Sequence, residues 1–498
     1  MATQYILALD QGTGGSAALL FDANGSVVAA AECAVAARHP QPGWVEQDAH
    51  ELVQATQAAA THALAEAGAR WSDVAAIGIA NQRETTVVWD RRSGEPLGPA
   101  IVWQCRRTAP LCAELERGGW GARVRRATGL PIDPYFAATK IRWLLDHTPQ
   151  GQQRAMDGEL LAGTVDTWLL WNLTADHRHA TDYTNASRTL LFDIHERRWD
   201  ADLLGMLNIP PALLPEVQPS AGLFGTTPEG VPVLAMAGDQ QAALFGQGCF
   251  DAGQAKHTYG TGAFLLMNTG VHPSASERGL LTTLAIDGQG QPCYALEGSV
   301  LNAGSVVQWL RDGLGIIQTA EETEALALSV QDTAGLVLVP AFSGLGSPYW
   351  DPTARGTLLG VTAAAGRAHL VRAALEAQAF QTAELLQAIL AEAPTSLAAL
   401  RVDGGGSANN FTMQFQADLL GLPVERPTVH ETTAQGAAFL AGLAAGIWPD
   451  AATLRAMWRL ERRFEPAMAA TRRAELLATW RRAIQRSLHW AEDAPPSA

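Results

Sequence analysis

Apolar positions near the amino terminus fall into short blocks separated by turn residues. The run YILALD reads as a buried strand, and AALLFDANGSVVAAA supplies two further apolar stretches on either side of Asn24-Gly25. Asn-Gly between such stretches predicts a β-hairpin. The spacing Gly12-x-Gly14-x-x-Ala17 resembles a dinucleotide-binding fingerprint, but that fold needs a helix to begin at the glycines. Here the glycine loop joins strand to strand, which argues against a nicotinamide cofactor.

From Asp48 the period lengthens. Ala, Leu and Val recur on one face, and Asp48 with Glu51 has capping-box spacing, so a helix is expected over 48–68. The apolar segments VAAIGIA and VVWD then bracket the polar insert NQRETT. Strands that meet in hairpins before helices begin point to a mixed α/β domain. Further on, VLAMAGDQQAALFGQG reads as strand, tight turn and helix, and QAKHTYGTGAFLLMNTG as strand, Gly-Thr-Gly and strand. A Gly-Thr-Gly hinge near the start of each half suggests a duplicated domain, divided as 1–247 and 248–498. Beyond it we expect a helix over 366–393 stopped by Pro394, a strand LAALRVD, the loop GGGSANN, and a helix NFTMQFQADLLG. A small-residue helix over 433–446 follows, and then a helical, Trp- and Arg-rich segment from Arg455.

Bulk properties narrow the class. A chain of 498 residues exceeds one core, and 47% hydrophobic with 17% charged residues is an ordinary globular profile. A net charge of −15 argues against nucleic-acid partners and anionic membrane surfaces. It leaves room for anionic ligands held by backbone N–H groups. The five cysteines are scattered and never spaced CxxC, no signal peptide is recognisable, and no apolar run approaches the ~18 residues of a membrane span. A cytoplasmic protein without membrane insertion is expected.

Four groups of residues could carry chemistry. Asp10 and Asp239 each follow an apolar strand, where a carboxylate serves a metal, acts as general base, or merely shapes a turn. The turns Gly12 to Ser16 and Gly260 to Gly262 lack a Walker lysine. They offer N–H groups and small hydroxyls, as ordinary hairpins do, and facing each other they would clamp phosphate. Gly404 to Asn410 would admit a ligand to the backbone, or simply cap a helix through Ser407 or Asn409. Arg83 and Glu84 are either a solvated turn or a donor–acceptor pair suited to polyol hydroxyls. Trp103 and Tyr135 would then wall the carbon chain, or belong to the core.

Taken in order, DQGT, NQRETT, IVWQCRRT, GLPIDPYF, GTVDTWLLW, DYTNASRT, AGDQQAALFGQ, TYGTGAF, EGSV, PAFSGLGSPYWDP, RVDGGGSANN and ERP resemble the glycerol-specific members of the FGGY carbohydrate kinase family. The resemblance runs from about residue 4 to 490. It implies an α/β fold of two actin-like (ribonuclease H-like) domains with mixed sheets, closing over a central cleft. It implies ATP-dependent phosphorylation of glycerol with Mg²⁺, in a homo-oligomer, dimer or tetramer. By the same resemblance Arg83, Glu84, Trp103, Tyr135, Asp239, Gln240 and Phe264 match polyol-site positions. Asp239 would be the general base and Asp10 an acid associated with the metal. Gly12, Thr13, Gly14, Gly15, Thr261, Gly304, Gln308, Gly405 and Asn409 would contact the nucleotide.

The chain departs from the family in one loop, where the usual DQGTTSSR is DQGTGGSA. Two hydroxyl donors and a cation near the phosphates are gone, so a slow or catalytically impaired nucleotide- and glycerol-binding protein is one alternative expectation. Independently of the loop, a kinase for another small polyol is a second, against which Arg83, Glu84 and Trp103 argue. Gly14→Thr, Gly15→Ser and Ala17→Arg together would test the loop.

Overall fold

The computed structural model describes residues 4–393 and 395–491. Strands β1 (Tyr5–Gly12), β2 (Gly15–Phe21) and β3 (Val27–Ala34) form an antiparallel meander. The first turn is Thr13-Gly14. The second is held by Asp22, whose Oδ1 accepts from Asn24 N and Ser26 N, with Gly25 at φ +75°. Strands β4 (Val74–Asn81) and β6 (Pro232–Gly238) extend the sheet in parallel beside β1, and β5 (Ala221–Thr226) closes that edge antiparallel to β6. The order is β5-β6-β4-β1-β2-β3.

A second sheet repeats this plan. It comprises β7 (Ala255–Tyr259), β8 (Ala263–Gly270), β9 (Leu281–Ile286), β10 (Pro292–Val300), β11 (Leu400–Asp403), β12 (Val424–Pro427) and β13 (Leu460–Phe464). Its order is β9-β10-β8-β7-β11-β12-β13. As β6, β4 and β1 run parallel before the antiparallel β2 and β3, so β12, β11 and β7 run parallel before β8 and β10. Each sheet also ends in an antiparallel edge strand, β5 or β13. The expected duplication of one hinge thus extends to six strands, with β9 added.

Helix α1 (Ala49–Ala67) matches the expected span; Asp48 accepts from His50 N and Glu51 N, and Gly68 ends it in the left-handed region at φ 62°. Helices α2 (Asp239–Gly246), α3 (Arg367–Glu392), α4 (Asn410–Leu420) and α5 (Thr432–Ala444) also lie where expected. Pro394, the expected stop of α3, lies outside the described residues. Helix α5 explains its small residues. A Cβ on Gly436 would meet Ala242 O of α2 at 1.8 Å, and one on Gly78 of β4 would meet Ala437 O at 2.1 Å. This helix from the second half therefore packs on the first sheet, in one core with Ile6, Ala8, Phe245 and Trp448.

Two expectations need correction. Asp10 does not end its strand, since β1 continues through Gly12. The segment after Arg455 is not continuously helical: Leu460–Phe464 is strand β13, and helix resumes only at Ala470–Ser487. An unpaired β12 would leave an open edge. Arg426 of β12 engages Glu461 of β13 through two hydrogen bonds of 2.8 and 2.9 Å, fixing the pairing.

Candidate active site

At the end of β4 the chain leaves the first sheet and enters a small four-stranded sheet at Thr86. Asn81 and Asn185 exchange side-chain hydrogen bonds of 3.0 Å, and the Gln82 side chain donates to both Gln11 and Gln47. These amides hold the intervening loop inside the protein. Arg83 and Glu84 are each only 2% exposed, which rules out the solvated-turn reading.

Buried charges require partners. Arg83 NH1 and NH2 reach the two Glu297 oxygens at 2.6 and 2.8 Å, and its Nε lies 3.3 Å from Asp239 Oδ1 and 3.6 Å from Glu84 Oε1. Arg188 donates from Nε to Glu84 Oε1 at 2.7 Å and from NH2 to Glu297 Oε1 at 3.1 Å. Burial alone would raise the Glu297 pKa, but Arg188 and Arg83 outweigh it and hold the carboxyl down at about 2. Neither Arg188 nor Glu297 was singled out from sequence, although each lies in a motif that was.

Aromatic rings close one side. Trp103 packs edge-on to Tyr135 and Phe264, with centroids 5.6 and 6.0 Å apart, and Arg83 lies 5.7 Å from the Phe264 centroid. The Tyr135 hydroxyl accepts from Arg83 NH2 at 3.3 Å. Buried Lys140 joins two loops of the site, its Nζ donating to the backbone oxygens of Glu84, Tyr135 and Phe136.

Asp239 opens α2 and is the carboxylate of this cluster with access to the outside, its side chain 26% exposed against 3% for Glu84 and none for Glu297. Burial raises its pKa and Glu84 adds to this, while Arg83 and Lys256 oppose it. The carbonyl of Gln240 is engaged by the buried Lys256 ammonium, which also donates to Thr258 Oγ1 at 2.7 Å. Lys256 is a site residue that sequence reasoning missed; burial pushes its pKa down to about 8. Asp10 accepts no hydrogen bond from another side chain among the described residues. Burial, then Asp239 and Glu32, raise its pKa to about 7.

The nucleotide candidates divide into two groups. Gly304, Gln308, Gly405 and Asn409 line one cavity of about 630 Å³ together with Leu375 and Gln378. Asn409 also caps α4, accepting from Thr412 N at 2.9 Å, which is the capping role weighed for it. Gly304 packs on the second hairpin: its N donates to Gly260 O at 3.0 Å, and a Cβ there would meet the same oxygen at 2.5 Å. The Thr261 carbonyl accepts from Ala303 N and Ser305 N. The first hairpin lines a separate cavity of about 270 Å³ through Gly12, Gly14 and Gly15, together with Asp10, Ala17 and Glu32. Thr13 instead accepts from Trp103 Nε1 at 2.8 Å. Thr13, Trp103 and Phe264 thereby link the two hairpins.

The loop substitutions are not equivalent. A Cβ on Gly14 meets nothing within 4 Å, whereas one on Gly15 would lie 2.6 Å from Cys33 O and 3.1 Å from Ala34 Cα. The combined replacement proposed from sequence therefore includes one change the fold resists. Thermal melts should show Gly14→Thr close to the parent, and Gly15→Ser destabilised by about 1–3 kcal/mol as β3 is pushed away.

Comparison with known proteins places the chain in a family. Residues 5–246 match the N-terminal domain and residues 255–445 the C-terminal domain of the FGGY family of carbohydrate kinases. The chain is 56% identical to a glycerol kinase of Dechloromonas aromatica, covering 98% of each sequence. It is 52% identical to glycerol kinase 2 of Thermotoga maritima, covering 98% of this chain and 99% of that one. Its structure resembles that of Plasmodium falciparum glycerol kinase with ADP, with a TM-score of 0.87, 35% identity and 98% of each chain covered. The fold is shared more widely, as with a xylulose kinase of Lactobacillus acidophilus at a TM-score of 0.83 and 20% identity. On its sequence, its duplicated sheets and its full-length relatives, this chain belongs to the FGGY family of carbohydrate kinases.

Proposed function

We propose that the chain transfers the γ-phosphoryl group of ATP to a terminal hydroxyl of glycerol, releasing ADP and glycerol 3-phosphate. One observation carries this reading: Asp239, partly exposed, stands 3.3 Å from Arg83 Nε beside the buried Glu84. Arg83 and Glu84 supply a donor and an acceptor for hydroxyls, Trp103, Tyr135 and Phe264 the apolar wall, and Asp239 the acceptor for the proton of the attacking oxygen. Gln240, pinned by Lys256, holds Asp239's immediate surroundings fixed. Phosphoryl transfer needs little covalent work from a protein, so positioning and neutralisation of the phosphate oxygens dominate. The 630 Å³ cavity has the size of a small-ligand site and takes the nucleoside end of ATP at Gly304, Gln308, Gly405 and Asn409. Backbone N–H groups of the hairpins containing Thr13, Gly14, Gly15 and Thr261 face the phosphates.

A Mg²⁺ ion fits the donor set. Asp10 offers a carboxylate that accepts from no donor side chain among the described residues, and Mg²⁺ is usually held by one or two carboxylates, substrate phosphates and water. Bound there, it would neutralise phosphate charge.

We place the domain division at 247/248, with α5 reaching back across it, and read the protein as a cytoplasmic homo-oligomer, dimer or tetramer. Among the described residues no helix is long and apolar enough to cross a membrane. Ala17, where the family carries a cation, favours slower turnover as a second reading. Glycerol-dependent ADP release across a panel of small polyols tests both. Release with glycerol at a low rate supports the second, and no release with glycerol overturns the first.

A further inference from the structure

We infer that Arg188 and Glu297 are positioning residues, which fix the faces that Glu84 and Arg83 present to the polyol. This rests on the proposed glycerol site and extends it to two side chains that need not touch substrate.

Glu297 projects from the middle of β10 in the second sheet, while Arg83 follows β4 of the first, 214 residues away. Its two oxygens take both terminal nitrogens of Arg83. The remaining terminal N–H groups of Arg83 turn to Gln241 Oε1 and the Tyr135 hydroxyl, each at 3.3 Å. What Arg83 still offers is the Nε edge, directed at Asp239 and Glu84. Arg188, with no exposed side-chain surface, rests 5.3 Å from the Phe136 ring centroid and takes Glu84 Oε1. Oε2 of Glu84 then accepts from no other described residue. Asp239 repeats the pattern: Oδ1 accepts from Gln240 N at 2.7 Å and faces Arg83 Nε, while Oδ2 has no such partner.

Each substrate-facing carboxylate thus has one oxygen tied and one open. Two open oxygens at fixed positions can accept from two hydroxyls of one small polyol. The four buried charges of Arg83, Arg188, Glu84 and Glu297 cancel. Asp239 is then the carboxylate of the cluster that reaches the opening.

The test compares Glu297→Gln, Arg188→Gln and Arg188→Lys with the parent chain by steady-state ADP release. KM for glycerol and for ATP are measured separately, alongside 1,2- and 1,3-propanediol as substrates. Glu297→Gln keeps the shape but leaves two arginines sharing one glutamate. Arg188→Gln keeps a donor without the charge. Both are expected to raise KM for glycerol at least fivefold, to leave KM for ATP within twofold, and to narrow the preference for glycerol over the propanediols. Arg188→Lys should recover part of the loss. If Glu297→Gln does not fold, Glu297→Asp, one methylene shorter, is read in the same way. Unchanged KM for glycerol in folded variants, or KM values for glycerol and ATP that rise together, would overturn the positioning role. No ADP release by the parent chain would overturn the glycerol reading, and this assignment with it.

Discussion

Asp239→Asn is expected to abolish most turnover, lowering kcat by about 10²–10⁴-fold, the range over which a positioned general base contributes. The substitution keeps the side-chain shape. An asparagine oxygen can still accept from Gln240 N, which now bonds Asp239 Oδ1 at 2.7 Å, and can still face Arg83 Nε. Thermal stability should therefore change little while the chemical step fails, and KM for glycerol should rise, because the amide nitrogen takes the place of the open Oδ2 acceptor. The pH profile gives an independent readout. Burial and Glu84 raise the Asp239 pKa above that of an ordinary carboxylate, against the pull of Arg83 and Lys256. As pH falls through that raised value, Asp239 takes up a proton and can no longer accept one from substrate. The acid limb of kcat/KM should accordingly lie above the ~3.9 of a free aspartate, and residual activity of Asp239→Asn should lack that limb. An Asp239→Asn protein with parental kcat would exclude Asp239 as the base.

What could be read from sequence was local. The β1–β2–β3 meander, α1 with its Asp48 cap and the α4 cap at Asn409 depend on residues a few positions apart, and they lie where expected. The site depends on distant partners. NQRETT has the composition of an exposed turn, and the one acid in it, Glu84, is shared between Arg83 and Arg188. Arg83 also needs Glu297, and the counter-charge of Arg188 is divided between Glu84 and Glu297, 104 and 109 residues away. EGSV and DYTNASRT were recognisable as motifs, yet no spacing rule connects their charges to Arg83. Lys256 is hidden for a similar reason, as an alternating strand position whose burial becomes visible only when α2 packs beside β7. The missed strand β13 is the same case, because its pattern has meaning only against the open edge of β12. Burial overturned the solvated-turn reading, and tertiary pairing overturned the C-terminal helix.

Replacing Ala17 by arginine is expected to raise turnover about tenfold or more, since a cation placed against transferring phosphate contributes about 10³–10⁵-fold in related chemistry. The pairing register shows where that cation would stand. Ala17 of β2 lies opposite Asp10 of β1 on one side and Glu32 of β3 on the other. Directly opposed residues share a face of the sheet, so Ala17 lies between two acids in one row. The adjoining cavity of about 270 Å³ is lined by all three and has room for a longer side chain. The introduced guanidinium would meet two carboxylates as it enters, and opposed charges on a sheet contribute roughly 0.2–1 kcal/mol per pair. The melting temperature should therefore hold or rise slightly. The cation would also favour ionised Asp10, whose pKa now lies at about 7 through burial, Asp239 and Glu32. Gly14→Thr can be added without strain, but Gly15→Ser cannot. The single and double variants, measured by ADP release at saturating glycerol and ATP, separate the cation from the hydroxyl. Parental kcat in both would mean that the phosphates are already neutralised without this cation, and that the altered loop costs the chain nothing.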